Sequence, residues 1–214
     1  MDASVKIKRT ALALGILLLL WSGVAASRRL LARRIPELSL NLKTMGANRA
    51  PVHIIEFSDF QCSHCKRAQE PLKKLRETYG EKARLTFKHY PLGNMHPNAR
   101  AASLAAECAH AQGKFWAYHD LLFDTQELWA IQKDASAYFL GLADRAALNA
   151  EEFKNCLKDP KMDERVQRDI DEGDARQINS TPTFFLNEKR LVGTSQMLRN
   201  AAQMMEAYSD EQKK

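Results

Sequence analysis

Cysteine is scarce in this chain: four residues in 214, at Cys62, Cys65, Cys108 and Cys156. That is too few for a small disulfide-built scaffold, and a chain of this length buries enough surface not to need one. A second C-x-x-C is also missing, as is a closely spaced histidine pair. A zinc ribbon needs one or the other, so metal binding is disfavoured. There is no internal repeat, and the only low-complexity stretch is a leucine run near the start. The most informative shortage is of net charge beyond residue 49. The whole chain carries 32 Lys+Arg against 26 Asp+Glu, a balance of +6. Nine basic and two acidic residues fall in residues 1–49, so the remaining 165 residues balance at −1. A basic protein would suggest nucleic acid or an anionic surface as partner. A near-neutral body behind a basic leader excludes the nucleic-acid reading.

Hydrophobic residues make up 45% and charged residues 27%, which predicts one ordinary globular domain with a short appendage. The appendage is residues 1–27. Lys6, Lys8 and Arg9 precede eighteen uncharged residues, Thr10 to Ser27, which end in small side chains. This is the pattern of a secretory signal, with cleavage after Ala26. An uncleaved membrane anchor through residues 10–27 fits as well, since about 17–25 apolar residues span a bilayer. Arg28, Arg29, Arg33 and Arg34 begin a basic tether over residues 28–49, suited to lipid headgroups. A short strand is predicted at Glu37–Leu42.

From residue 50 to 214 the pattern is that of a compact α/β domain. Val52–Phe57 and Arg84–Tyr90 read as strands. Between them Ala68, Leu72, Leu75 and Tyr79 fall on one helical stripe ending at Gly80, with Pro71 predicted to kink it. Residues 94–177 are mostly helical in pattern, including the face Ala101, Leu104, Ala105 and Cys108 and the stripe Met162, Val166 and Ile170. Phe115, Trp116 and Phe123 form an aromatic stripe expected in the core. Strand character returns at Thr183–Leu186 and Arg190–Val192 around a polar turn. A last helix is predicted with Met197, Ala201, Met204 and Tyr208 on one side. The order β–α–β, helical block, β–β–α predicts a central sheet with helices on both faces.

The chemistry lies in Cys62-Ser63-His64-Cys65, placed where the first strand hands over to the helix. A cysteine at a helix N-terminus faces unpaired N–H groups and the positive dipole end, which favour the thiolate. Cys65, one turn in, is positioned to form a disulfide with it. His64 offers positive charge or a hydrogen bond to the Cys62 sulfur. A dithiol whose reduced form is stabilised acts as an oxidant. A static disulfide is the plainer alternative. Cys108 and Cys156 both sit on apolar helical faces, either as free core thiols or as a disulfide closing a ~48-residue loop. His96, after a Pro-Leu turn, is expected at a helix start or in packing. No role is assigned to His53, His89, His110 or His119.

The stretch from Ala50 to Cys65 (APVHIIEFSDFQCSHC) resembles the active-site region of DsbA-like thiol:disulfide oxidoreductases of the thioredoxin superfamily. Pro91-Leu92 followed by His96, the run Ala105–Trp116, and Thr181–Asn187 (TPTFFLN) agree with the same family. The resemblance implies a thioredoxin-like fold with a large helical insertion, and exchange chemistry that needs no dissociable cofactor. Cys62 would be the attacking thiol and Cys65 the resolving one. Thr181-Pro182 would form the cis-proline loop facing the pair, with Thr181 and Ser63 at the substrate. Glu56 matches the family's buried acid, able to relay a proton to or from Cys65. The implied partners are thiol-containing exported proteins and a membrane redox partner of the DsbB or vitamin K epoxide reductase type. The implied location is the periplasm or the outer face of the cell membrane. A disulfide donor is the expected activity; a reductase or isomerase, or a non-catalytic peptide-binding module, are the alternatives. Ser63 stands where many relatives have Pro or Gly, and Ser180 where they have Gly.

Overall fold

The computed structural model describes residues 43–211. The predicted strand at Glu37–Leu42 and the leader at 10–27 lie outside them. Five strands form one sheet: β1 (Thr44–Gly46), β2 (Val52–Ser58), β3 (Ala83–His89), β4 (Thr183–Leu186) and β5 (Lys189–Val192), in the order β1-β3-β2-β4-β5. The central pair β2 and β3 is parallel, with Val52 opposite Ala83 and Ser58 opposite His89. Parallel strands need a crossover, supplied by helix α1 (Ser63–Tyr79) and a short 3-10 turn. The other neighbours are antiparallel: β1 on β3, β4 on β2 and β5 on β4. In the β4–β5 hairpin Asn187 and Glu188 take φ of 44° and 73°, the left-handed pair a two-residue hairpin turn requires.

The sheet begins earlier than expected. Thr44–Gly46 pairs with β3, and Lys43 is buried, so the last residues of the stretch read as a tether belong to the domain. A charge count cannot separate a solvated lysine from a paired one. Helix α1 also runs unbroken through Pro71. The carbonyl that loses its partner there is Arg67's, on an exposed turn where solvent can satisfy it.

Six helices fill the interval between β3 and β4: α2 (Ala99–Ala111), α3 (Phe115–Asp124), α4 (Gln126–Trp129), α5 (Ser136–Arg145), α6 (Ala150–Cys156) and α7 (Pro160–Ala175). The last helix is α8 (Thr194–Glu211). Asn149 caps α6 by accepting from the Glu151 and Glu152 amides, and Asp159 caps α7 ahead of Pro160. Tight packing of α7 needs Gly173: a Cβ there would stand 2.6 Å from the Tyr90 ring.

Alternation along β2 divides the core. Val52 and Ile54 join Leu72, Leu75, Phe184, Leu186, Met197, Ala201 and Met205 under α1 and α8. The stripe of α8 thus runs through Met205, with Met204 only half-buried, which shifts the expected face by one residue. Phe57 points to the other side, where Tyr90, Ile178 and Phe185 meet it. The helical block has its own core around Tyr118, Leu122, Trp129, Phe139 and Phe153, reaching the sheet through Phe60 and Phe87. Each such aromatic contributes about 1.5–3 kcal/mol by leaving water. Cys108 and Cys156 are joined by a disulfide, with Cα atoms 5.7 Å apart, tying α2 to α6.

Candidate active site

Chain direction builds the site. Strand β2 ends at Ser58, and a turn closed by Cys62 N–H donating to the Asp59 carbonyl (3.1 Å) redirects the chain into α1. Cys62 is the N-cap residue, with extended φ and ψ of −74° and 121°. Its carbonyl already accepts the first helical bond, from Lys66 N–H at 3.1 Å. Cys65 is fully buried one turn in, whereas Cys62 keeps 7% of its surface exposed. Both thiols are free. Opposite them the Thr181–Pro182 peptide bond is cis, and the Cys62 thiol lies 3.5 Å from the Thr181 carbonyl, to which it donates. Chain segments 119 residues apart therefore meet at one sulfur.

The two thiols are chemically unequal. A hydrogen bond from the Cys65 thiol stabilises the Cys62 thiolate, and this outweighs burial. With smaller contributions from the Thr181 side chain and the N–H groups of Cys65 and His64, the Cys62 pKa is pulled down to about 5. The helix start acts here through backbone amides, as the site's position demands. Cys65 moves the opposite way, well above the ordinary range. Burial is the main cause, and the negative charges of Cys62 and Glu56 add to it. The pair thus holds one thiolate and one thiol, the distribution that an exchange reaction needs.

Glu56 lies on the same face of β2 as Ile54, beneath α1. It is fully buried, and its Oε1 accepts from Gln69 Nε2 at 3.1 Å. The same Gln69 amide reaches the Cys65 carbonyl at 3.0 Å, which ties the acid to the resolving residue. Its Oε2 has no hydrogen-bond partner among the described residues. Burial raises the Glu56 pKa to about 7, so the group can hold or release a proton near neutrality.

His64 does not do what its sequence position suggested. Its ring is exposed and meets the Arg67 guanidinium at 2.9 Å; only its backbone amide acts on Cys62. Arg67 lies three residues on and shares its face of the helix, which brings the two side chains together. Ser63 is exposed beside it, at the rim of the site. His96 holds Asp59, its Nδ1 2.7 Å from Oδ2, in the turn that leads into α2.

Several contributors were not visible in the sequence. Buried Gln126, in α4, donates from Nε2 to the carbonyls of Phe60 (2.6 Å) and Cys62 (3.1 Å). Gln61 spans to the Ala130 carbonyl and accepts from the Asn98 amide. A glutamine in a helical pattern or in a turn carries no mark of such a role.

Among the described residues, His89, Glu107 and Asp169 alone have the spacing of metal ligands. Lys43 Nζ stands where a cation would, 2.5 Å from Glu107 and 2.7 Å from Asp169. Burial works against both carboxylates, yet His89 and Lys43 hold Glu107 well below the usual carboxylate range, and Lys43, His89 and Lys88 lower Asp169. Burial lowers the His89 pKa and favours its neutral form, so Lys43 balances the two carboxylates together with Lys88 at Asp169 (3.1 Å) and Arg165 at Glu107 (3.8 Å). The cluster is an internal ion network.

Fold and site together define a domain of thioredoxin-like architecture with two free, chemically unequal thiols facing a cis proline. A family model described as Thioredoxin matches residues 41–207, and the chain belongs to that family. Its fold is shared with oxidised BdbD from Bacillus subtilis (TM-score 0.69, 21% identity, 78% of this chain and 94% of that one). It is shared also with alpha-DsbA1 of Wolbachia pipientis (TM-score 0.69, 20% identity, 80% and 94%). A thioredoxin-like oxidoreductase from Silicibacter pomeroyi aligns with TM-score 0.64 and 23% identity over 76% and 91%. In sequence the chain is 34% identical over 164 residues to a Na+/H+ antiporter NhaA 3 of Salinispora tropica. It is 33% identical over 149 residues to a Na+/H+ antiporter NhaA of Herminiimonas arsenicoxydans. It covers 77% and 70% of itself in these matches but only 24% and 23% of those proteins, about a quarter of their length. The chain thus carries the thioredoxin-like fold of this family, with two chemically unequal thiols at the start of α1.

Proposed function

We propose that the protein donates its Cys62–Cys65 disulfide to thiol-containing proteins outside the cytoplasm. The stabilised Cys62 thiolate carries this reading. Whatever favours the reduced, charged form of the pair makes the oxidised form a stronger oxidant. A substrate thiolate attacks Cys62, and Cys65 departs with the electron pair and takes up a proton. A second substrate thiolate then attacks the substrate sulfur of the mixed disulfide and releases the Cys62 thiolate. The substrate has lost two electrons and the protein has gained them.

Exposed apolar side chains support an unfolded chain as the partner. Met95, Leu128 and Ile131 are 66%, 59% and 86% exposed. Met95 stands on the loop that Asp59 bonds to the redox turn, and Leu128 and Ile131 stand on α4 and the turn after it, where Gln61 bonds Ala130. Thr181, at the cis proline, would offer its backbone to an extended segment, in the manner of strand addition. Turnover would require re-oxidation by a membrane partner of the DsbB or vitamin K epoxide reductase type. The leader and the basic residues at 28–34 support an extracytoplasmic location. So does the occurrence of a similar segment within proteins named as antiporters. Among the described residues no helix is long and apolar enough to cross a membrane, and residues 10–27 are the candidate anchor.

Equilibration with glutathione buffers, read by alkylation of Cys62 and Cys65, tests the direction. A potential near that of strong oxidants, about −120 to −180 mV, is expected; one near −270 mV would overturn the donor reading. In parallel, Cys62→Ala must abolish disulfide formation in a reduced test protein.

A further inference from the structure

Asp59 takes no part in the exchange as described, yet it is fully buried and its carboxylate meets three partners. Oδ1 accepts from Gln61 N–H at 2.7 Å. Oδ2 accepts from Leu92 N–H at 2.8 Å and meets His96 Nδ1 at 2.7 Å. The carboxylate thus fastens the redox turn to the loop that follows β3. A charged acceptor with three short partners is a strong local constraint. The main-chain N–H of the same residue points elsewhere, at Cys65 Sγ, 3.5 Å away. Cys65 is otherwise surrounded by influences that oppose its ionisation: burial, the Cys62 sulfur and the Glu56 carboxyl. The Asp59 amide is the one contact from the turn that favours a Cys65 thiolate.

We propose that Asp59 is a positioning residue for the resolving thiol. Its carboxylate locks the turn so that its own N–H stays aimed at Cys65 Sγ and stabilises charge there as the Cys62–Cys65 bond opens or closes. When the pair closes on a mixed disulfide, Cys65 loses its proton and its thiolate attacks Cys62 Sγ. The bond from Cys62 to the foreign sulfur then breaks, and that sulfur leaves as a thiolate. The amide serves the Cys65 thiolate in either direction. The proposal therefore rests on the exchange reading but not on which way the electrons run.

Asp59→Asn keeps the shape but replaces one accepting oxygen by an NH2 group facing other donors. The test begins with reduced protein and oxidised glutathione, which form the Cys62–glutathione adduct at acid pH. A pH jump then starts closure, followed by acid quench and mass spectrometry. Closure in Asp59→Asn is expected to slow roughly tenfold at pH 7, with its pH midpoint raised by about one unit. The alkylation midpoint of Cys62, measured with Cys65→Ser in both backgrounds, is expected to stay in place. An unchanged closure profile overturns the proposal. So does an equal shift of both profiles, which would signify general loosening of the helix start. If Asp59→Asn does not fold, His96→Ala carries the test: removing that partner must move closure the same way by a smaller factor, and a wild-type profile overturns the proposal. Failure of the unsubstituted protein to form the adduct would instead defeat the exchange reading itself, and this proposal with it.

Discussion

Lowering the pH from 7 to 5 should remove stability from the reduced protein that the oxidised protein does not lose. The Cys62 pKa falls from an ordinary 9.0 to about 5 on folding. A group whose folded pKa is depressed stabilises the fold in full above its unfolded value and loses that contribution as the pH falls through the folded value. The window here is pH 9 down to 5, and at pH 7 the two-unit distance from the folded value corresponds to about 2.7 kcal/mol. Cys62 sits at the mouth of the site, so solvent screening reduces this, and about 1.4 kcal/mol is a safer lower figure. Expressed as a potential, the same energy makes the disulfide roughly 30–60 mV more oxidising. Urea unfolding of the oxidised and reduced forms at pH 5, 6, 7 and 8 measures the gap, because groups common to both forms largely cancel. Cys62→Ala provides the baseline without the titrating sulfur. A reduced-minus-oxidised difference that stays flat from pH 5 to 8 would refute the argument. A Cys62 alkylation midpoint near the ordinary thiol value would do the same.

Other perturbations test the surroundings of the pair. Glu56, raised from 4.5 to about 7, destabilises the fold as the pH climbs through that interval and fully above it. Glu56→Gln should therefore gain stability over the wild type by up to about 3 kcal/mol at pH 8 and little at pH 4, measured by urea unfolding. Its exchange rate should fall, because the proton carrier is gone. Removing the Cys108–Cys156 bond by a double alanine substitution should cost about 4 kcal/mol on the chain-entropy model for a separation of 48 residues, read by thermal or urea melts. Lys43→Met removes the cation that buried Glu107 and Asp169 share, leaving Arg165 3.8 Å from Glu107 and Lys88 3.1 Å from Asp169. It should cost about 3–5 kcal/mol, with the loss reduced at low pH, where the carboxylates can take up protons.

What the sequence disclosed and what it hid follow a physical division. Strand β2 was legible because its apolar run is continuous, and α1 because its buried residues recur at helical spacing. The placement of Cys62 and Cys65 at a helix start was legible because their spacing is local and lies where the period changes. The structure places Thr181-Pro182 against Cys62, a meeting that only the family resemblance implied. Residues whose roles depend on distant partners left no trace. Lys43 pairs with Asp169 across 126 positions, and Gln126 reaches Cys62 across 64. Glu107 was concealed within an alanine-rich helical face, where one acid reads as an exposed residue. His64 failed in the opposite sense: it neighbours Cys62 in sequence, yet its exposed ring meets Arg67, three residues on.

The bonds from Gln126, Gln61 and Asn98 bear on whether this protein can be pared down. Residues between β3 and β4 look like an accessory that could be cut away to leave a minimal redox domain. The carbonyls of Phe60 and Cys62 take their side-chain donors from that block, and the Gln61 side chain finds both of its partners there. Excision would remove those partners and expose the Phe60 and Phe87 rings that join the block to the sheet. The helical block is a supporting wall of the redox turn, so the smallest working unit of this protein is the whole of its described fold.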